Sequence, residues 1–160
     1  MMDSALFAGS FDPPTLGHLD IIKRAAPLFK ELHIGIAANL SKQSSFTIQE
    51  REEMLRKLTK NLTSVKVESF SELTVDFAKR KKTSLLIRGL RSAADLESEI
   101  QLALANRKLS GIETLFLITD PQLSHISSTL IKEIAHQKRR LHDFVPAEIE
   151  EQIFQKLSKR

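Results

Sequence analysis

Ala5-Leu6-Phe7-Ala8-Gly9-Ser10-Phe11-Asp12-Pro13-Pro14-Thr15-Leu16-Gly17-His18 is the stretch on which the fold turns. Ala5 to Ala8 form an apolar run short enough for a buried strand, which stops at Gly9, and Asp12, Pro13 and Pro14 then break regular structure. From Gly17 onward Leu19, Ile22, Ala26 and Phe29 recur near helical spacing. Pro27 has no backbone N–H to donate and is expected to end or kink that helix. The chain therefore opens as strand, loop, helix.

The same order repeats downstream. His33 to Ala38 reads as a second strand, and Thr47 with Glu50 forms a capping-box pair that starts a helix turning Met54, Leu55 and Leu58 inward. Val65 to Phe70 followed by Leu73 to Ala78, Leu85 to Ile87 followed by Ala93 to Leu109, and Leu115 to Ile118 followed by Thr129 to His136 complete five β-α units. A last amphipathic stretch with Ile149, Ile153 and Leu157 follows Pro146. Strands that alternate with helices are normally parallel and joined by right-handed crossovers. The expected architecture is a single-domain, Rossmann-like α/β fold over 1–160, an open parallel five-stranded sheet with helices on both faces. Ligands of such sheets bind at the carboxyl ends of the strands.

Composition fits that picture. The chain has 160 residues, 41% of them hydrophobic, enough for one core, and no internal repeat or Pro/Gly-rich linker marks a second domain. With 24 Lys plus Arg against 20 Asp plus Glu the formal charge is +4, which favours anionic partners without separating nucleotide from nucleic acid. There is no cysteine, so neither a disulfide framework nor a Cys-based metal site is available. The N-terminus lacks the charge-then-apolar pattern of a leader, and no stretch approaches the roughly 20 apolar residues of a membrane span. A soluble, cytoplasmic protein is expected.

The residues after each strand carry the chemistry. Gly9 lets a phosphate approach the backbone, and His18 falls in the first turn of the next helix, whose N-terminus attracts anions. No Gly-x-Gly-x-x-Gly follows the first strand and no Gly-x-x-x-x-Gly-Lys-Ser/Thr occurs, so the dinucleotide-binding and P-loop signatures are both missing. Arg88 and Arg91 place two guanidinium groups directly after an apolar strand, either for an anion in the cleft or for ordinary ion pairing. Lys42 reads alternatively as a solvated loop charge, and Ser127 or Ser128 as a helix cap.

Gly9-Ser10-Phe11-Asp12-Pro13-Pro14-Thr15-Leu16-Gly17-His18 resembles the T/H-x-G-H signature of the nucleotidyltransferase superfamily, in the form typical of the bacterial phosphopantetheine adenylyltransferase family. Lys42, Arg88-Gly89-Leu90-Arg91, Glu99 and Ile126-Ser127-Ser128-Thr129-Leu130-Ile131-Lys132 resemble that family's further blocks in order, so the likeness covers nearly the whole chain. It implies transfer of an adenylyl group from ATP, with Mg2+ on its phosphates, to 4'-phosphopantetheine, giving dephospho-coenzyme A and pyrophosphate without a covalent enzyme intermediate.

The resemblance also implies roles. His18 would stabilise the transition state by donating to the α-phosphate, and Ser10 would orient the attacking phosphate. Lys42 and Arg88 would hold that phosphate and Thr74 would stand beside the pantetheine arm. Arg91 and the hydroxyls of Ser127, Ser128 and Thr129 would hold the ATP phosphates. Phe11, Gly89, Leu90, Glu99, Leu123, Ser124, His125 and Ile126 would complete the ATP site, and a homohexamer is implied. Ser10 stands where many members carry Thr, Thr74 where a larger apolar residue is common, and Leu123 where an aromatic is frequent.

The remaining histidines, His33, His136 and His142, form no metal-ligand pattern, and no structural zinc is expected. Lys138-Arg139-Arg140 reads as a solvated helix end rather than a nucleic-acid patch. Two other functions fit parts of the pattern. One is a related transferase acting on another acceptor, such as nicotinamide mononucleotide or glycerol phosphate. The other is a non-catalytic RNA-binding module, which the absence of Trp and Tyr disfavours, since base stacking needs aromatic platforms.

Overall fold

The β-α units assemble into one sheet. In the computed structural model, which describes residues 2–38 and 44–159, the strands are β1 (Met2–Gly9), β2 (Phe29–Ala37), β3 (Val65–Phe70), β4 (Leu85–Leu90) and β5 (Glu113–Ile118). All pair in parallel, in the spatial order β3-β2-β1-β4-β5. Six helices accompany them among the described residues: α1 (Leu16–Ala25), α2 (Ile48–Thr59), α3 (Thr74–Arg80), α4 (Ala93–Ser110), α5 (Ser128–His136) and α6 (Ala147–Leu157). The expected five-stranded parallel fold is the one observed.

Alternation along β1 explains why both faces are covered. Ala5 and Phe7 point to one face and pack with Ile21 and Ile22 of α1 and Leu55 of α2. Leu6 and Ala8 point to the other and pack with Val75, Phe77 and Ala78 of α3. Gly35 on β2 matters here because a Cβ would lie 2.9 Å from ring atoms of both Phe70 and Phe77, which stack at 4.4 Å with planes 3° apart. A third cluster, with Ile131, Ile149, Ile153 and Leu157, seats α5 and α6 beside Phe46 and Met54.

Several boundaries differ from the sequence expectation, β1 for one beginning at Met2 rather than Ala5, and two of the differences change how residues are read. Phe29 is the first residue of β2 rather than a helical residue: α1 ends at Ala25, Pro27 sits in a 3-10 turn over Ala26–Leu28, and the chain re-emerges extended. Pro27 thus ends the helix before Phe29, whose ring is buried from the strand instead. β4 runs on through Arg88, Gly89 and Leu90, so these three lie on the strand's last half and only Arg91 of that block follows it.

The chain winds outward from β1 to β3 and then crosses back to β4. β1 and β4 are therefore neighbours at the point where the winding direction reverses, the place where open α/β sheets form a crevice. Their pairing covers only Leu6 with Leu86 and Phe7 with Ile87, although both strands continue, so they part at their carboxyl ends. That opening positions the site.

Candidate active site

His18 is built into the start of α1. Thr15 caps the helix, its Oγ1 accepting from the His18 backbone N–H at 3.2 Å, and the Thr15 backbone N–H donates to His18 Nδ1 at 3.1 Å. An amide N–H can only donate, so Nδ1 is the acceptor and the ring proton resides on Nε2. Burial first, then the positive charges of Arg91 and Arg88, push the His18 pKa down to about 4. At neutral pH the ring is uncharged and offers one N–H donor.

Phe11 fixes that ring from beside it. Its backbone is left-handed, with φ 47°, and its ring meets His18 edge-on at 5.0 Å between centroids. The same ring lies against Gly9, where a Cβ would come within 3.2 Å of Phe11 Cζ. The glycine thus admits Phe11 as well as leaving backbone open to a ligand.

A cavity of about 350 Å³ opens over the parted ends of β1 and β4, lined among others by Ser10, Phe11, His18, Arg88, Gly89, Arg91 and Glu99. Ile126, Ser127, Ser128 and Thr129 close its far side. A second cavity of about 210 Å³ is lined by Ala37, Thr74, Leu102 and Asn106, and Ser10 and Arg88 belong to both. The crevice is thus a pair of chambers with one hydroxyl and one guanidinium at their junction.

Its charges are paired within the chain. Glu99 grips Arg88 through two hydrogen bonds, and Arg91 pairs with Asp95 in the first turn of α4. Of the two open readings of these arginines, ion pairing is present, while both side chains still line the larger cavity. The serines are similarly engaged: Ser127 Oγ caps α5 by accepting from Leu130 N–H at 3.1 Å, and Ser128 Oγ donates to the Pro13 carbonyl at 2.8 Å. Ser128 ties the last block to the first.

Other sequence-designated residues stand apart from the cavities. Leu90 is buried, Leu123 packs with the α5–α6 cluster, Ser124 Oγ donates to the Pro121 carbonyl, and the His125 ring meets Phe144. Lys42 lies outside the described residues. Asn106, Leu102, Thr119 and Ile21 line the crevice without having been singled out from sequence. For Thr15 the signal was available, since a Thr three residues before His18 at a helix start is a capping pattern. Among the described residues no group of three or more His, Asp or Glu converges as a metal cage. Nor, among those residues, is any helix long and apolar enough to cross a membrane.

Comparison with known proteins adds to this geometry. Residues 6–134 match the model of the family described as cytidylyltransferase-like. A phosphopantetheine adenylyltransferase of Finegoldia magna is 46% identical over 154 residues, covering 96% of this chain and 95% of that protein. One from Caldanaerobacter subterraneus subsp. tengcongensis is 45% identical over 159 residues, covering 99% of each. A crystal structure from Vibrio parahaemolyticus, described as a candidate nicotinate-nucleotide adenylyltransferase, superposes over 100% of this chain and 97% of its own with a TM-score of 0.74 at 14% identity, a likeness of fold.

Proposed function

The chain belongs to the cytidylyltransferase-like family, and from that premise we propose that it is a phosphopantetheine adenylyltransferase, transferring the adenylyl group of ATP to 4'-phosphopantetheine. The observation that carries this reading is the pair of chambers joined at Ser10 and Arg88, one large enough for a nucleotide and one lined by Thr74, Leu102 and Asn106 for a slender acceptor. Identity of 46% and 45% over nearly the full length to two adenylyltransferases of that name supports the acceptor.

The reaction joins two anions. An oxygen of the acceptor phosphate attacks the α-phosphorus in line, the bond to the bridging oxygen breaks, and pyrophosphate leaves, so no enzyme nucleophile is needed. The protein's task is alignment and stabilisation of charge on the α-phosphoryl oxygens. Neutral His18 donates Nε2–H to that group, with the amino end of α1 behind it. Ser10 and Arg88, with Lys42, hold the acceptor phosphate. Arg91 and Thr129 face the ATP phosphates, and Gly89 and Ile126 the adenosine. Glu99 acts by holding Arg88. Mg2+ enters with ATP as part of the substrate and offsets phosphate charge; no protein cage for it is required.

Cytoplasmic location and a homohexamer go with this reading. Exposed Leu96, Ile100 and Leu104 along α4 support self-association, because apolar side chains clustered on one exposed element favour a covering partner. Light scattering that returned a monomer would remove the assembly from the proposal.

The test of the reaction is incubation with MgATP and either 4'-phosphopantetheine or nicotinamide mononucleotide, following pyrophosphate release and product mass. Dephospho-coenzyme A from the first acceptor alone is expected. Turnover with only the second would keep the family and discard the substrate.

A further inference from the structure

The loop that carries Ser10 rests on charged side chains that line neither cavity. Arg51, on the first turn of α2 and 3% exposed, donates from Nη1 to the Ser10 carbonyl at 2.8 Å and from Nε to the Thr47 carbonyl at 3.3 Å. Asp12, 6% exposed, accepts from Ser45 N–H at 3.0 Å, Phe46 N–H at 2.8 Å and Lys132 Nζ at 2.6 Å. Two cations and one carboxylate therefore lie beneath the loop, joining it to α2 on one side and α5 on the other.

Burying a guanidinium costs free energy that partners only partly return, and an apolar side chain of similar size often stabilises a core as well or better. Docking of α2 does not call for it: Met54 and Leu55, 1% and 0% exposed, already anchor that helix. What Arg51 supplies that an apolar residue could not is a fixed donor to one carbonyl, next to the hydroxyl shared by the two chambers. Burial lowers the Arg51 pKa and the negative charge of Asp12 opposes that shift, so Asp12 supports the ionised guanidinium.

We propose that Arg51 is a positioning residue for adenylyl transfer: by gripping the Ser10 carbonyl from within the protein, it sets where the Ser10 hydroxyl meets the acceptor phosphate. This rests on the reading of Ser10 given above. Because carbonyl and hydroxyl belong to the same residue, loss of the grip shifts the hydroxyl, and misplacement by about 1 Å can cost up to about a hundredfold in rate.

The test is a double-mutant cycle of Arg51→Met with Ser10→Ala, measuring kcat, both KM values and thermal unfolding. Arg51→Met alone is expected to lower kcat about tenfold or more with KM for ATP within about threefold, and Arg51→Lys to recover part of the loss. In the Ser10→Ala background the same change should cost less than about threefold, since its effect passes through Ser10. Equal losses in both backgrounds, or wild-type kcat in folded Arg51→Met, would overturn the inference while leaving Ser10's role intact. If Ser10→Ala alone keeps full turnover, the reading of Ser10 fails and this inference with it. Should Arg51→Met not fold, Arg51→Lys, which keeps the buried charge but not the reach, enters the same cycle: a smaller kcat loss that shrinks in the Ser10→Ala background is expected, and wild-type kcat or equal losses in both backgrounds would overturn the inference.

Discussion

Glu99 holds Arg88 in a two-pronged grip, Oε2 to Nε at 2.7 Å and Oε1 to Nη2 at 2.6 Å, while the third nitrogen, Nη1, donates to the Ala8 carbonyl at 2.9 Å. The pair crosses the crevice floor from β4 to α4, and Ala8 offers its carbonyl where β1 and β4 no longer pair. Arg88 is therefore aimed before any anion arrives, and a preorganised cation binds an acceptor at less cost in side-chain entropy.

We predict that Glu99→Gln raises KM for the acceptor about three- to tenfold, because the forked, charge-assisted grip is lost. KM for ATP should change less. A lower acceptor KM in Glu99→Gln would mean that Glu99 competes with the phosphate rather than aiming the arginine.

Gly35→Ala should destabilise the protein by about 1–3 kcal/mol, since its Cβ would meet Phe70 and Phe77 at 2.9 Å and Leu6 at 3.0 Å. Thermal unfolding reads this directly. At temperatures where the variant stays folded, kcat should be near wild type, because the clash lies in the core face toward α3 rather than in the crevice.

Stability should fall on acidification through two histidines. Burial lowers the pKa of His33, and His18 is pushed down to about 4 from an ordinary 6.5. The unfolded chain then binds more protons than the native one between about 6.5 and about 4, so stability is present above that window and is lost as pH falls through it. Unfolding across this range should show the slope, and His18→Gln should flatten the part that His18 contributes. An unchanged slope in that variant would contradict the neutral assignment.

Much of this was legible in the sequence because local signals agreed. Val65–Phe70 is the strand its apolar run suggests, and Thr47 and Glu50 form the reciprocal box their spacing implies. Phe29 was misread because its spacing from Ile22 matches a helix, and only the break at Pro27 decides that it belongs to β2. The partners of Arg88, Arg51 and Asp12 were not legible. Glu99 is 11 positions from Arg88, Ser10 is 41 from Arg51 and Lys132 is 120 from Asp12, separations at which no periodicity connects one side chain to another. A charged residue on a helix also reads as solvent-facing, and Arg51 is not.

The measurement that tests the account most directly is the steady-state rate of dephospho-coenzyme A formation by wild type and His18→Ala, alongside the ATP dissociation constant of each. Loss of one transition-state donor predicts a fall in kcat of about a hundredfold to a thousandfold, with ATP affinity within about threefold, because the donor acts most strongly on charge that develops during transfer. Full turnover by folded His18→Ala would contradict the account.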